Sequence, residues 1–164
     1  MISEKMTKSL TRQMNRELYS AYLYLGMAAY AASIGLKGIE NWFIVQAKEE
    51  EAHARRFYDY INNEGARVIL ENIEAPPQDF SSAIDLFEKT LAHEKKVTQM
   101  IYDLAKIAQE EKDKKTEEFL QWFVKEQREE EENPSKILKN IKATIDKDKK
   151  RNLSTVNSEL AKRK

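Results

Sequence analysis

Cysteine is absent from all 164 residues of the chain. That excludes a disulfide-stapled scaffold, thiolate zinc sites, iron–sulfur clusters and any C-x-x-C module, and it agrees with a reducing compartment. Turn-formers are nearly as scarce, with 4 glycines and 3 prolines. So few leave no room for the many tight turns of a β fold, and the natural class is all-α. Nor is there an excess charge of either sign, since Lys+Arg and Asp+Glu each number 28. No basic field points to nucleic acid as a partner. No stretch approaches the roughly 18 consecutive apolar residues of a membrane span, and the opening residues Met1 to Lys5 carry no signal-peptide apolar region. The expectation is a soluble, cytoplasmic protein with one sizeable core.

What is present is helical periodicity. Ser3 reads as a helix start, and an apolar period runs from there to Gly35. A second helix is expected from about Ile39 to Glu64, closed by Gly65. The stretch from Gly65 to Phe80 contains Pro76-Pro77 and cannot be helix throughout, so it reads as a long crossover. Ser81 or Ser82 caps a third helix to about Glu110, and a short connection near Asp113 makes the fourth antiparallel to it. The expected architecture is an up-down-down-up four-helix bundle over residues 1–145, with the long crossover between helices 2 and 3. Residues 146–164 form a basic, polar C-terminal segment, frayed and solvated from Lys147. Its one helical stripe, Leu153, Val156 and Leu160, predicts at most a short, weakly held fifth helix.

Each of the four helices carries a glutamate in the stripe that faces the interior. The stripes run Leu10, Met14, Glu17, Ala21, Tyr24, Ala28, Ala31 on the first helix and Phe43, Gln46, Glu50, His53, Phe57, Ile61 on the second. The third gives Phe87, Leu91, Glu94, Thr98, Ile101, Ala105, Ala108 and the fourth Leu120, Phe123, Gln127, Glu130, Pro134, Ile137, Ile141. Steps of three and four keep these residues on one face. A buried, uncompensated carboxylate is costly, so four of them require counter-charge, which two divalent cations would supply. Glu50 and His53 make an E-x-x-H pair, and imidazole with carboxylates suits reduced iron. Glu50 is the natural bridge. Glu17 and His53 would complete one iron site, and Glu94 and Glu130 the other. Gln127, one turn before Glu130, cannot supply a second imidazole, so the two sites are unequal. Tyr24, two turns after Glu17, can hydrogen-bond a ligand or donate an electron, and Trp122 is a second such candidate. His93, adjacent to Glu94, points about 100° away from it and reads as a solvent or subunit contact.

Four runs carry a family likeness: Arg16-Glu17-Leu18-Tyr19-Ser20-Ala21-Tyr22-Leu23-Tyr24, Glu49-Glu50-Glu51-Ala52-His53-Ala54, Ala92-His93-Glu94 and Phe119-Leu120-Gln121-Trp122-Phe123-Val124-Lys125-Glu126-Gln127. In this order they resemble non-haem prokaryotic ferritin, over roughly residues 2 to 132. The resemblance implies a ferroxidase that takes Fe(II) and either O2 or peroxide and stores ferric mineral in a hollow cage of 24 identical subunits. It implies Glu17, Glu50 and His53 as ligands of the first iron and Glu50, Glu94 and Glu130 as ligands of the second. Glu49, Glu126 and Glu129 match the acidic residues that form a third iron site with Glu130. Ala52 stands where haem-containing relatives have a methionine ligand, so the resemblance implies no haem. Two features depart from the family pattern: the fifth helix is less apolar, and Pro134 interrupts the fourth helix. Pro134 is expected to kink or break that helix at a cost of roughly 3 kcal/mol, with Asn133-Pro134 reading as a new start. Two other readings stand beside storage. A di-iron peroxidase of the rubrerythrin type lacks the cysteines of its electron-transfer module and a second E-x-x-H here. A purely structural bundle leaves the inward acids unexplained.

Overall fold

The computed structural model describes residues 1–143 and 149–164, with only the backbone described for 149–152. The expected boundary between residues 145 and 146, and the start of the basic tail at Lys147, lie outside the described residues. Five α-helices follow one another: α1 (Glu4–Ser33), α2 (Lys37–Asn63), α3 (Ala83–Glu110), α4 (Lys114–Ala143) and α5 (Lys149–Leu160).

Local chemistry sets the ends. The Ser3 hydroxyl accepts from Met6 N at 2.9 Å, and the Ser82 hydroxyl accepts from Asp85 N at 3.1 Å. Asp113 caps α4 through Thr116 N at 3.1 Å. Gly35 and Gly65 close α1 and α2 with φ of 76° and 74°, the left-handed region where glycine carries no steric cost.

α1 lies along α2 and α3 along α4. Residues 64–82 form no helix and run back along α1. Asn15 holds this crossover at Ile69 O and Glu71 N, and Phe80 packs on Tyr30 at 5.5 Å. The crossover therefore delivers the start of α3 to the end of α1, and α3 runs parallel to α2. That is the expected up-down-down-up bundle. Two apolar clusters fill it, one around Phe43, Phe87, Trp42 and Leu86, the other around Phe57, Phe123, Leu10 and Ile101. Between them lies a buried polar layer.

Three expectations need correction. On α3 the buried face passes through Thr90, Val97 and Leu104, whereas Leu91, Thr98 and Ala105 are only partly covered. Phe87, Glu94, Ile101 and Ala108 belong to either path, so the difference is a small rotation of the helix. Second, α4 does not break at Pro134 but continues as helix from Lys114 to Ala143. Pro134, Leu138 and Ile141 are all buried, and that burial offsets the missing N–H and the steric cost of the ring.

Third, α5 is short but firmly docked. Val156 is buried, and Leu153 and Leu160 pack against the first cluster. The N-cap residue of α2, Leu36, supplies no side-chain bond. Asn157 of α5 does so from across the chain, its Oδ1 accepting from Gly38 N at 2.8 Å and Ile39 N at 3.0 Å. This approach requires glycine, because a Cβ at Gly38 would sit 1.5 Å from the Asn157 carbonyl oxygen. Gly38→Ala is expected to strip hydrogen-exchange protection from α5 while leaving α1 to α4 protected. Retained protection would mean that its apolar side chains alone hold α5 in place.

Candidate metal centre

The buried layer between the two clusters contains Glu17, Glu50, His53, Glu94 and Glu130, each 1–7% exposed. One helix contributes two of them and each of the other three contributes one. Their ligand atoms fall into three groups whose members lie within 4.8 Å of one another: Glu17, Glu50 and His53; Glu50, Glu94 and Glu130; and His53, Glu126 and Glu130. Glu50 is common to the first two. The donors are carboxylate oxygens and one imidazole, a set suited to divalent iron and without the thiolates that softer ions prefer.

Neighbouring amides and one phenol hold the acids in place. Gln13 Nε2 donates to Glu17 Oε1 at 2.7 Å, one helical turn away. Gln46 Nε2 donates to Glu50 Oε1 at 3.1 Å and to Glu130 Oε2 at 2.6 Å. Tyr24 donates its hydroxyl hydrogen to Glu94 Oε1, and Gln127 Nε2 donates to Glu94 Oε2 at 3.2 Å. His53 Nδ1 lies 3.2 Å from Glu50 Oε2, while its Nε2 is 3.9 Å from Glu126 Oε1. The His53 ring also meets the Trp122 indole at 5.5 Å, and Arg56 covers that indole at 3.8 Å.

Without a cation this arrangement holds protons. Burial, then the Glu50 charge, pushes Glu17 up to about 8. Burial and the Glu94 charge push Glu130 up to about 8, and burial raises Glu94 to about 7 against the bonds from Tyr24 and Gln127. Burial, Glu94 and Glu130 hold Glu50 well above the carboxylate range. The Tyr24 phenol is raised as well, by burial and then by Glu94. A divalent ion would reverse each of these shifts by supplying the missing positive charge.

Two of the acids expected around a third iron are not among the ligand atoms that cluster. Glu126 is partly covered and belongs to the cluster with His53 and Glu130. Glu129 is exposed, and Glu49 is ion-paired with Arg163. Neither joins a cluster among the described residues. His93 is partly covered rather than solvent-facing: its Nε2 shares a 2.8 Å hydrogen bond with Ser20 Oγ, and its ring meets Tyr24 edge-on at 5.9 Å. Burial pushes its pKa down to about 4, so it is neutral at ordinary pH. Gln13 and Gln46 are supporting residues that only their spacing in the sequence signals. Both lie four residues before a buried glutamate, the spacing at which an amide reaches a carboxylate on the same helix face.

The ferritin family model, described as a ferritin-like domain, matches residues 7–144. This chain belongs to the ferritin family. It is 44% identical over 131 residues to a bacterial non-heme ferritin of Staphylococcus epidermidis, an alignment covering 80% of this chain and 79% of that one. The bacterial non-heme ferritin of Staphylococcus aureus is 43% identical over the same span. The fold matches a structure described as a novel open-pore ferritin from the hyperthermophilic archaeon Archaeoglobus fulgidus, with a TM-score of 0.97, 44% identity and full coverage of both chains. An engineered closed form of that archaeal ferritin superposes equally well, at 43% identity with 100% of this chain and 99% of that one covered. The chain is thus a non-haem, bacterial/archaeal-type ferritin, an iron-storage protein whose bundle carries clusters consistent with a di-iron ferroxidase. Membership of the family implies an oligomeric iron-binding assembly. Among the described residues, no helix is long and apolar enough to cross a membrane.

Proposed function

We propose that Glu17, Glu50 and His53 bind one Fe(II), that Glu50, Glu94 and Glu130 bind a second, and that Glu50 bridges them. The observation that carries this reading is the sharing of one buried carboxylate by two adjacent donor triads. Entry of Fe(II) releases the carboxyl protons, and the negative charge of the carboxylates left behind favours the ferric state. Each iron gives up one electron. O2 taking two electrons and two protons leaves as hydrogen peroxide, and peroxide taking two more of each leaves as two waters. Tyr24 and Gln127 orient Glu94 during this change, and Tyr24 lies at hydrogen-bond contact for electron donation. A third iron passes through the cluster of His53, Glu126 and Glu130 on its way to the store, with Glu49 and Glu129 beside it.

The ferric product collects in a cage of 24 copies of this chain, working in the cytoplasm. Exposed apolar side chains support assembly: Tyr22 and Leu25 on α1, Tyr58 on α2, and Leu70 and Ile73 on the crossover are 36–72% exposed in a single chain. The lack of cysteine favours storage over a rubrerythrin-type peroxidase, which needs a thiolate electron-transfer module.

The test is aerobic addition of excess Fe(II) to metal-free protein, followed by size separation and an iron count per chain. Retention of far more than about three irons per chain on a very large particle is the expected result. Retention near two or three would leave the oxidation site standing without a closed cage, and retention near zero would remove both.

A further inference from the structure

Past the end of α5 the chain turns back onto α2 and presents Arg163 to one face of that helix. Its Nη1 donates to Trp42 O at 3.2 Å and its Nη2 to Gln46 Oε1 at 2.9 Å, and the guanidinium lies 4.5 Å from the centre of the Trp42 ring. The same Nη2 is ion-paired with Glu49. Asn41 Nδ2 closes the contact by donating to Arg163 O at 2.9 Å. Residues 42, 46 and 49 follow one another at helical spacing, so the planar fork meets a single stripe of α2.

Two of these contacts lead inward. Arginine can only donate, so Gln46 turns its oxygen to Arg163 and its nitrogen to Glu50 and Glu130. Gln46 is 2% exposed and is locked by these three partners. Glu49 faces the same region from the surface side, close enough that its charge raises the pKa of both Glu126 and Glu130. Its carboxylate would be a further donor to a cation held by His53, Glu126 and Glu130. Instead it is neutralised by a guanidinium that Trp42 and Gln46 hold in place. The Arg163 side chain is 21% exposed and that of Glu49 44%, so the guanidinium end of the pair is shielded while the carboxylate end stays open to solvent.

We propose that Arg163 is a positioning residue that holds Glu49 away from the His53, Glu126 and Glu130 cluster, so that the docked C-terminal segment weakens the uptake of a third divalent cation. The inference rests on the reading of these clusters as cation sites. It ties α5, which adds no residue to these clusters among the described residues, to the store: releasing the tail converts Glu49 from an ion-pair partner into a metal donor.

Zn(II), which is redox-inert, is the probe, titrated calorimetrically into the assembled metal-free protein. The first two equivalents report the paired centre, and only the third reports Arg163, so the two readings fail separately. Arg163→Gln is expected to tighten the third equivalent about tenfold, equivalent to about 1.4 kcal/mol, with the first two unchanged. Adding Glu49→Gln to that variant is expected to abolish the gain. An unchanged third equivalent in Arg163→Gln, or the same gain with Glu49 removed, overturns the proposal. Should Arg163→Gln not assemble, Arg163→Lys replaces it. The ammonium keeps the charge but loses the second nitrogen, which bonds Trp42 O, and the planar face over the Trp42 ring, so it holds Glu49 less firmly; a smaller gain supports the proposal and wild-type affinity refutes it.

Discussion

Glu50→Gln is expected to slow the initial phase of Fe(II) oxidation by at least about a hundredfold, the upper end of what losing even an outer-shell partner of a metal ligand costs. Glu50 is the member common to both donor triads, and an amide offers one weakly donating oxygen where a bridge needs two charged ones. Neither iron would then be held in register with the other. The fold is expected to survive, because glutamine matches the shape of the side chain and the two apolar clusters on either side remain intact. The same change is expected to stabilise the metal-free protein at pH 8, since it removes a buried acid that Glu94 and Glu130 already repel. Stopped-flow ferric absorbance and a denaturant titration would check both halves. An unchanged initial rate would refute the assignment of the bridge, and a destabilised metal-free variant would refute the account of its charge.

The metal-free protein is expected to lose stability as pH rises from 6.5 to 8. Glu17 and Glu130 are raised to about 8 and Glu94 to about 7 in the folded chain, against an ordinary glutamate value near 4.3 in the unfolded chain. Across that window the folded state binds more protons than the unfolded state, so stability falls with pH. The cost is on the order of 1 kcal/mol per pH unit for each carboxyl that keeps its proton, and it levels off above about 8. His93 acts in the opposite sense lower down. Its folded value of about 4 lies below the ordinary 6.5, so its contribution is present above 6.5 and is lost as pH falls toward 4. The two trends oppose each other below 6.5, and the carboxyls act alone above it. Loading with Zn(II) is expected to reverse the slope, because ligation needs the deprotonated carboxylates and binding therefore strengthens with pH. Denaturant midpoints at pH 6.5 and 8, with and without Zn(II), would check this. A metal-free midpoint that rises with pH would show that these acids are ionised in the folded chain.

Much of the centre could be read from spacing. Glu17, Glu50, His53, Glu94 and Glu130 stand at helical intervals within apolar stripes, and a carboxylate among leucines and phenylalanines has few explanations other than a cation. The helix ends were legible for the same local reason: Ser3, Ser82, Gly35 and Gly65 act on backbone groups within a few residues of themselves. The path of α3 was not. Leu91 and Thr90 are equally compatible with Phe87 and Glu94, and only the neighbouring helices decide which one turns inward. Pro134 carries the penalty of an interrupted hydrogen-bond ladder in its own residue type, while the burial that offsets it belongs to the assembled bundle.

The C-terminal segment marks the limit most clearly. Its composition is basic and sparsely apolar, and no periodicity links it to α2. Yet Asn157 caps the start of α2 from 119 residues away, and Arg163 reaches Glu49 across 114. By itself the sequence determined the four long helices, the inward faces of α1 and α2 and the chemistry of the donors, because these depend on intervals of three and four residues. Tertiary structure alone decided which ligand atoms lie within reach of one another, which carboxylate pairs with the tail and how α4 survives its proline. Those outcomes depend on distances between segments far apart in the chain, where short-range spacing carries no information.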